Sequence, residues 1–204
     1  MSLKEEISAA IEQEEWITVR SNAVMIPTHP RHQMMGGLFY QVLEHAVAVR
    51  VLLGLPHPLH GSAAALMRPI FEMYVRGLWI RDCATDAQFE QVSSKDDERW
   101  PVGIEKMTEA VDEKIGFNRW LTDLQKKYWD AFCSYAHGGL RLIARNNSSE
   151  AIESRVTEEE SIEILRFVVL ISLFATSIWC DIAGDADGAK EAASRAKSYL
   201  EPAA

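Results

Sequence analysis

The chain has 204 residues, of which 48% are hydrophobic and 25% charged, and this composition supports a packed core and excludes global disorder. Lysine and arginine total 21 against 30 aspartates and glutamates, a formal net charge of -9. The chain therefore lacks the basic footprint of a nonspecific DNA or RNA binder.

The length fits one domain. Cys83, Cys133 and Cys180 form no CxxC pair and sit in apolar stretches, which points to a reducing compartment. The start, Met1-Ser2-Leu3-Lys4, has no apolar core of a signal peptide. The longest uncharged apolar run, Phe167 to Cys180, spans 14 residues. That is short of the roughly 20 a membrane-spanning helix needs, so it reads as a central core helix. A cytoplasmic location without membrane attachment is expected.

In chain order, Ser2-x-x-Glu5 is a capping box that opens a helix over about Leu3 to Arg20. Pro27, Pro30 and Arg31 interrupt the chain. A second helix is predicted from about His32 to Leu53, with Leu38, Val42, Ala46 and Val49 at helical spacing. The Gly54–Pro58 segment is a turn. A third helix is predicted from Ser62 to Cys83, kinked at Pro69, which would free the carbonyl of Ala65. Thr85-x-x-Gln88 caps a short helix to about Ser94, and a polar loop follows to Trp100. A helix over Val102 to Lys114 stops at Gly116. Asn118 is expected to cap the next helix, which ends at Gly138-Gly139. The stretch from Arg145 to Arg155 is loop-like. Thr157-x-x-Glu160 opens the core helix to about Ile182, and a last helix is expected from Ala189 to Leu200.

No strand-period segment and no internal repeat is present. The expected fold is all-α: a single helical bundle of long antiparallel helices with shorter helices between them. The organisation expected is one domain over 1–204. It comprises an N-terminal helical segment (1–26) that could lie at the periphery, a core bundle (30–185) and a C-terminal helix (186–204).

The most informative segment is the third helix. Arg68, Glu72, Arg76 and Trp79 follow one another by four, four and three residues, so they share one narrow stripe. Apolar residues cover much of the remaining circumference, which points the stripe at the interior or a cleft. In the functional reading, Arg68 and Arg76 hold an anion or phosphate, Glu72 orients them, and Trp79 borders the site. In the structural reading, the same residues are an Arg–Glu network that ties helices together.

The second segment is Tyr135-Ala136-His137-Gly138-Gly139, followed by Arg141. A histidine at a helix end can act as general acid or base, and the glycines admit a ligand or another backbone. Equally, His137 can simply cap the helix. His29, His32, His57 and His60 lie in proline-bearing loops without metal-ligand spacing, so no metal is expected. No glycine-rich phosphate loop, GxSxG elbow or catalytic-cysteine context occurs, and no cofactor is expected.

Arg68-Pro-Ile-Phe-Glu72 together with Tyr135-x-His-Gly-Gly resembles a bacterial family of uncharacterised all-helical proteins, over about residues 30 to 185. In helix layout the chain also resembles, more distantly, the HEPN superfamily. Many members of that superfamily are dimeric, metal-independent ribonucleases of defence or toxin–antitoxin systems, with an Arg-x4–6-His motif. Here that motif matches only at Arg50-x6-His57, whose spacer holds Gly54 and Pro56. A ribonuclease would instead need a rebuilt site, such as His137 with Arg68, Arg76 or Arg141.

Three functions stay open on the sequence. One is a ligand- or partner-binding regulatory module, with Arg68, Arg76, Arg141, Tyr135 and Trp79 as binding residues. Another is a HEPN-like enzyme acting on RNA or a nucleotide, with His137 and Glu72 catalytic. The last is an oligomeric structural scaffold. A homodimer is the expected assembly, and a small anion, a nucleotide or RNA is the expected ligand class.

Overall fold

A computed structural model describes residues 1–94, 99–140, 143–144 and 155–200 of the chain. Every regular element among these residues is a helix. Helix α1 (Leu3–Asn22) opens on the predicted capping box, with the Ser2 hydroxyl accepting from the Glu5 amide and the Glu5 carboxylate accepting from the Ser2 amide. Helix α2 (Pro30–Leu53) starts two residues earlier than predicted, because Pro30 fits the first helical position, where no N–H is needed. The order then runs α3 (His60–Ala65), α4 (Met67–Asp82), α5 (Asp86–Ser93), α6 (Ile104–Ile115), α7 (Trp120–Ala136), α8 (Glu158–Ile182) and α9 (Ala186–Leu200). The Thr85/Gln88 and Thr157/Glu160 capping boxes open α5 and α8 as expected.

Helix α8 is the axis of the bundle, in contact with α1, α2, α4 and α9. Its centre, including Leu165, Val168, Ile171 and Leu173, is fully buried. Each such side chain contributes about 1.5–3 kcal/mol through burial. Helices α2 and α8 are long and apolar enough to cross a membrane by length and composition. In the structure they pack on each other. They run antiparallel, since Gly36 near the start of α2 lies against Trp179 near the end of α8. Helices α2 and α4 are also antiparallel: the Arg31 guanidinium donates to the carbonyls of Ile80 and Ala84. Helix α1 runs parallel to α8, with the Leu3 amide on Glu158 and Glu6 on Arg166. Glu6 is almost fully buried and also accepts from the Tyr199 hydroxyl, so one carboxylate joins α1, α8 and α9.

Three sequence expectations are corrected. The kinked helix over Ser62–Cys83 is two helices, α3 and α4, separated at Leu66. Pro69 falls in the first turn of α4, where its missing N–H costs nothing, so the chain breaks before the proline rather than bending at it. Asn118 does not cap α7. Asn118 and Arg119 both take left-handed conformations (φ 48° and 65°). The cap comes instead from Asp112 of α6, whose carboxylate accepts from the amides of Leu121 and Thr122 and from the Thr122 hydroxyl. Helix α9 starts at Ala186 rather than Ala189, with Asp185 accepting from the Gly188 amide. Much of the loops expected up to Trp100 and over Arg145 to Arg155 lies outside the described residues, as does Arg141.

Candidate functional site

The break at Leu66 sets the rotation of α4 and so the direction of its polar stripe. Glu72 lies between two guanidinium groups, one turn away on either side. Arg68 Nε donates to Glu72 Oε1 at 2.7 Å, and Arg76 Nη2 lies 2.6 Å from Glu72 Oε2. The Glu72 side chain is only 12% exposed, while Arg68 and Arg76 keep 24% and 25%. The carboxylate is therefore the floor of the cluster and the two cations form its upper part.

Helix α7 brings the second motif to the same place. Its C-terminus closes with Gly138 in the left-handed region (φ 66°) and the Gly139 amide on the Ser134 carbonyl, at 2.7 Å. A Cβ at Gly139 would come within 2.6 Å of the Ser134 hydroxyl, so this turn needs both glycines. The turn leaves His137 exposed at the helix end, with its Nε2 against Arg68 Nη1. Helix α7 also supplies Trp129, whose ring lies 5.0 Å from the Arg68 guanidinium carbon. Trp100, in the segment before α6, lies 4.8 Å from that of Arg76. Burial holds the Arg76 guanidinium below the ordinary arginine range, against the opposing pull of Glu72. Its Nε is buried without a hydrogen-bond partner.

Arg68, Glu72, Arg76 and His137 thus lie in one cluster. The other candidates do not join them. Trp79 is 2% exposed and belongs to the hydrophobic core: it lies on the same stripe, but the packed core covers the stripe at that end of α4. Tyr135 lines a separate cavity between α7 and α8. Arg141 lies outside the described residues. The motif-like pair Arg50 and His57 is also separated: Arg50 makes a two-pronged ion pair with Glu14 of α1, and His57 is exposed in the α2–α3 turn. His29 and His32 have ring centroids 5.3 Å apart, and His60 Nδ1 lies 3.1 Å from the Ser161 hydroxyl. Among the described residues, no three histidine, cysteine, aspartate or glutamate side chains are grouped so as to hold a metal ion.

Trp129 and Trp100 were not legible as site residues. Trp129 carried a weak signal, since it precedes His137 by eight residues, about two helical turns, on one face of α7. Trp100 carried none, because it reaches Arg76 from a loop.

Charge and geometry define a half-buried cluster of two guanidinium groups on one carboxylate, with a tryptophan ring beside each arginine. The family model described as "Family of unknown function (DUF6988)" matches residues 39–201, and the chain belongs to that family. No curated protein matches the chain. No solved structure matches it either.

Proposed function

We propose that the arginine cluster between α4 and the C-terminal end of α7 binds a small anionic ligand, and that the protein is a ligand-binding or regulatory module. The observation that carries this reading is the contact of the Arg68 guanidinium with both Glu72 and His137. It assembles one polar surface from two sequence motifs. Each guanidinium has five N–H donors, and the contacts with Glu72 and His137 use only part of that capacity. Glu72 and the two tryptophans hold the planar groups in place, which lowers the entropy cost of receiving a carboxylate or phosphate. A small anion or a nucleotide suits this charge. A long nucleic acid would meet the repulsion of a net charge of -9 away from the cluster.

Calorimetric titration with pyrophosphate and with AMP tests the reading. Binding is expected for the wild type, and a loss of at least about tenfold in folded Arg68→Ala and Arg76→Ala variants, a loss of about 1.4 kcal/mol for each. No binding of either probe would remove the anion site.

The Arg68–His137 contact favours a second reading, a HEPN-like enzyme acting on RNA or a nucleotide without a metal. His137 would move a proton while the arginines hold the phosphate. Cleavage of structured RNA in EDTA by the wild type, lost in a folded His137→Ala variant, would establish it. The free thiols of Cys83, Cys133 and Cys180 suit a reducing cytoplasm. A homodimer is supported by α2, which exposes Tyr40, Val47 and Val51 along one face.

A further inference from the structure

A second cavity, of about 360 Å³, opens between α7 and α8, beside the start of α4. This is ample for a small organic molecule. Its walls carry the rings of Trp120, Tyr128, Phe132, Tyr135 and Phe167. The charged residues on the wall are Glu160, whose carboxylate accepts from the Thr157 amide at the start of α8, and Glu163, exposed one turn further on. An anionic ligand would be repelled here, whereas an ammonium meets the exposed Glu163 carboxylate and the negative faces of aromatic rings. Met67 and Tyr135 line this cavity, while Arg68 and His137 belong to the arginine cluster. Adjacent residues therefore serve two sites of opposite charge.

We infer that the α7–α8 cavity is a separate binding site for an aromatic or apolar amine, its body among the rings and its ammonium at Glu163. This site is independent of the anion site, so either can fail alone.

The test uses three probes of similar shape, 2-phenylethylammonium, 2-phenylethanol and 3-phenylpropionate, followed by Trp120 fluorescence and calorimetry on the full chain. The ammonium is expected to bind at least about tenfold more tightly than the alcohol, with the carboxylate weakest. Glu163→Gln, at an exposed position, should bring the ammonium down to the level of the alcohol and leave alcohol binding unchanged. Ala131→Trp should fill the cavity and abolish binding of all three. If that variant does not fold, the Glu163→Gln comparison decides alone. Equal binding of the three probes, no binding of the ammonium, or an ammonium preference that survives Glu163→Gln would overturn the inference.

Discussion

Glu72 divides its two carboxylate oxygens between two guanidinium groups, and this division decides how the cluster responds to mutation. Arg68→Ala leaves Glu72 paired with Arg76, so its cost should stay well below the roughly 3–5 kcal/mol of a fully stranded buried charge. Glu72→Gln leaves two guanidiniums one turn apart on each side of a neutral amide, and should cost more than Arg68→Ala, about 1–3 kcal/mol. Urea unfolding of the two variants checks the order, and the reverse order would refute this account. A purely structural scaffold would predict that Arg68→Ala unfolds the protein. A second residue-scale prediction concerns His60. Burial holds its imidazole below the ordinary histidine range, opposed by the Glu160 charge. The folded chain therefore binds this proton less readily than the unfolded chain. Stability is full above the unfolded value of about 6.5 and is lost as pH falls below it toward the folded value. The urea midpoint should fall between about pH 7 and about pH 5, and fall less in His60→Asn; equal falls would rule out the role assigned to His60. The spacing of Arg68, Glu72 and Arg76 was visible in the sequence because an i, i+4 relation survives any rotation of the helix. The burial of Trp79 was not, because it depends on what covers that end of α4.

At the scale of elements, local signals placed most helix ends. Ser2/Glu5, Thr85/Gln88 and Thr157/Glu160 are reciprocal hydrogen-bond pairs within four residues, so neighbours in sequence suffice to predict them. The start of α7 was misread because its cap, Asp112, reaches it from a different helix. Close packing of α2 against α4 is likewise a tertiary fact. Gly77 lies where a Cβ would meet Phe39 Cε1 at 2.5 Å, and Phe39 is fully buried. Gly77→Ala would gain about 1 kcal/mol of helix propensity. The clash should outweigh this and leave a net loss of about 1–2 kcal/mol, from an overpacking cost of about 1–3 kcal/mol. Thermal unfolding checks the sign, and a stabilised variant would show that the two helices can move apart.

For the whole molecule, α2 is the element with unused apolar surface. Its exposed positions Gly37, Tyr40, Glu44, Val47 and Val51 alternate steps of three and four, the spacing of a helix-pairing seam. A chain of 23.0 kDa that pairs through this face should give twice that mass by light scattering. Tyr40→Glu should shift it to the monomer, because a buried carboxylate without a partner opposes association. A wild-type monomer at about 50 μM, tighter than the millimolar regime of weak contacts, would end the homodimer proposal.

The sequence by itself determined the helical class, the capping boxes, the central place of α8 and the polar stripe of α4. Each depends on composition or on residues within about one or two turns, where covalent geometry fixes the spacing. The tertiary structure alone decided that Arg68 meets His137, that Trp100 and Trp129 cover the two arginines, and that Tyr135 faces a different cavity. These contacts join residues far apart in the chain, and the packing angles that create them come from the whole core.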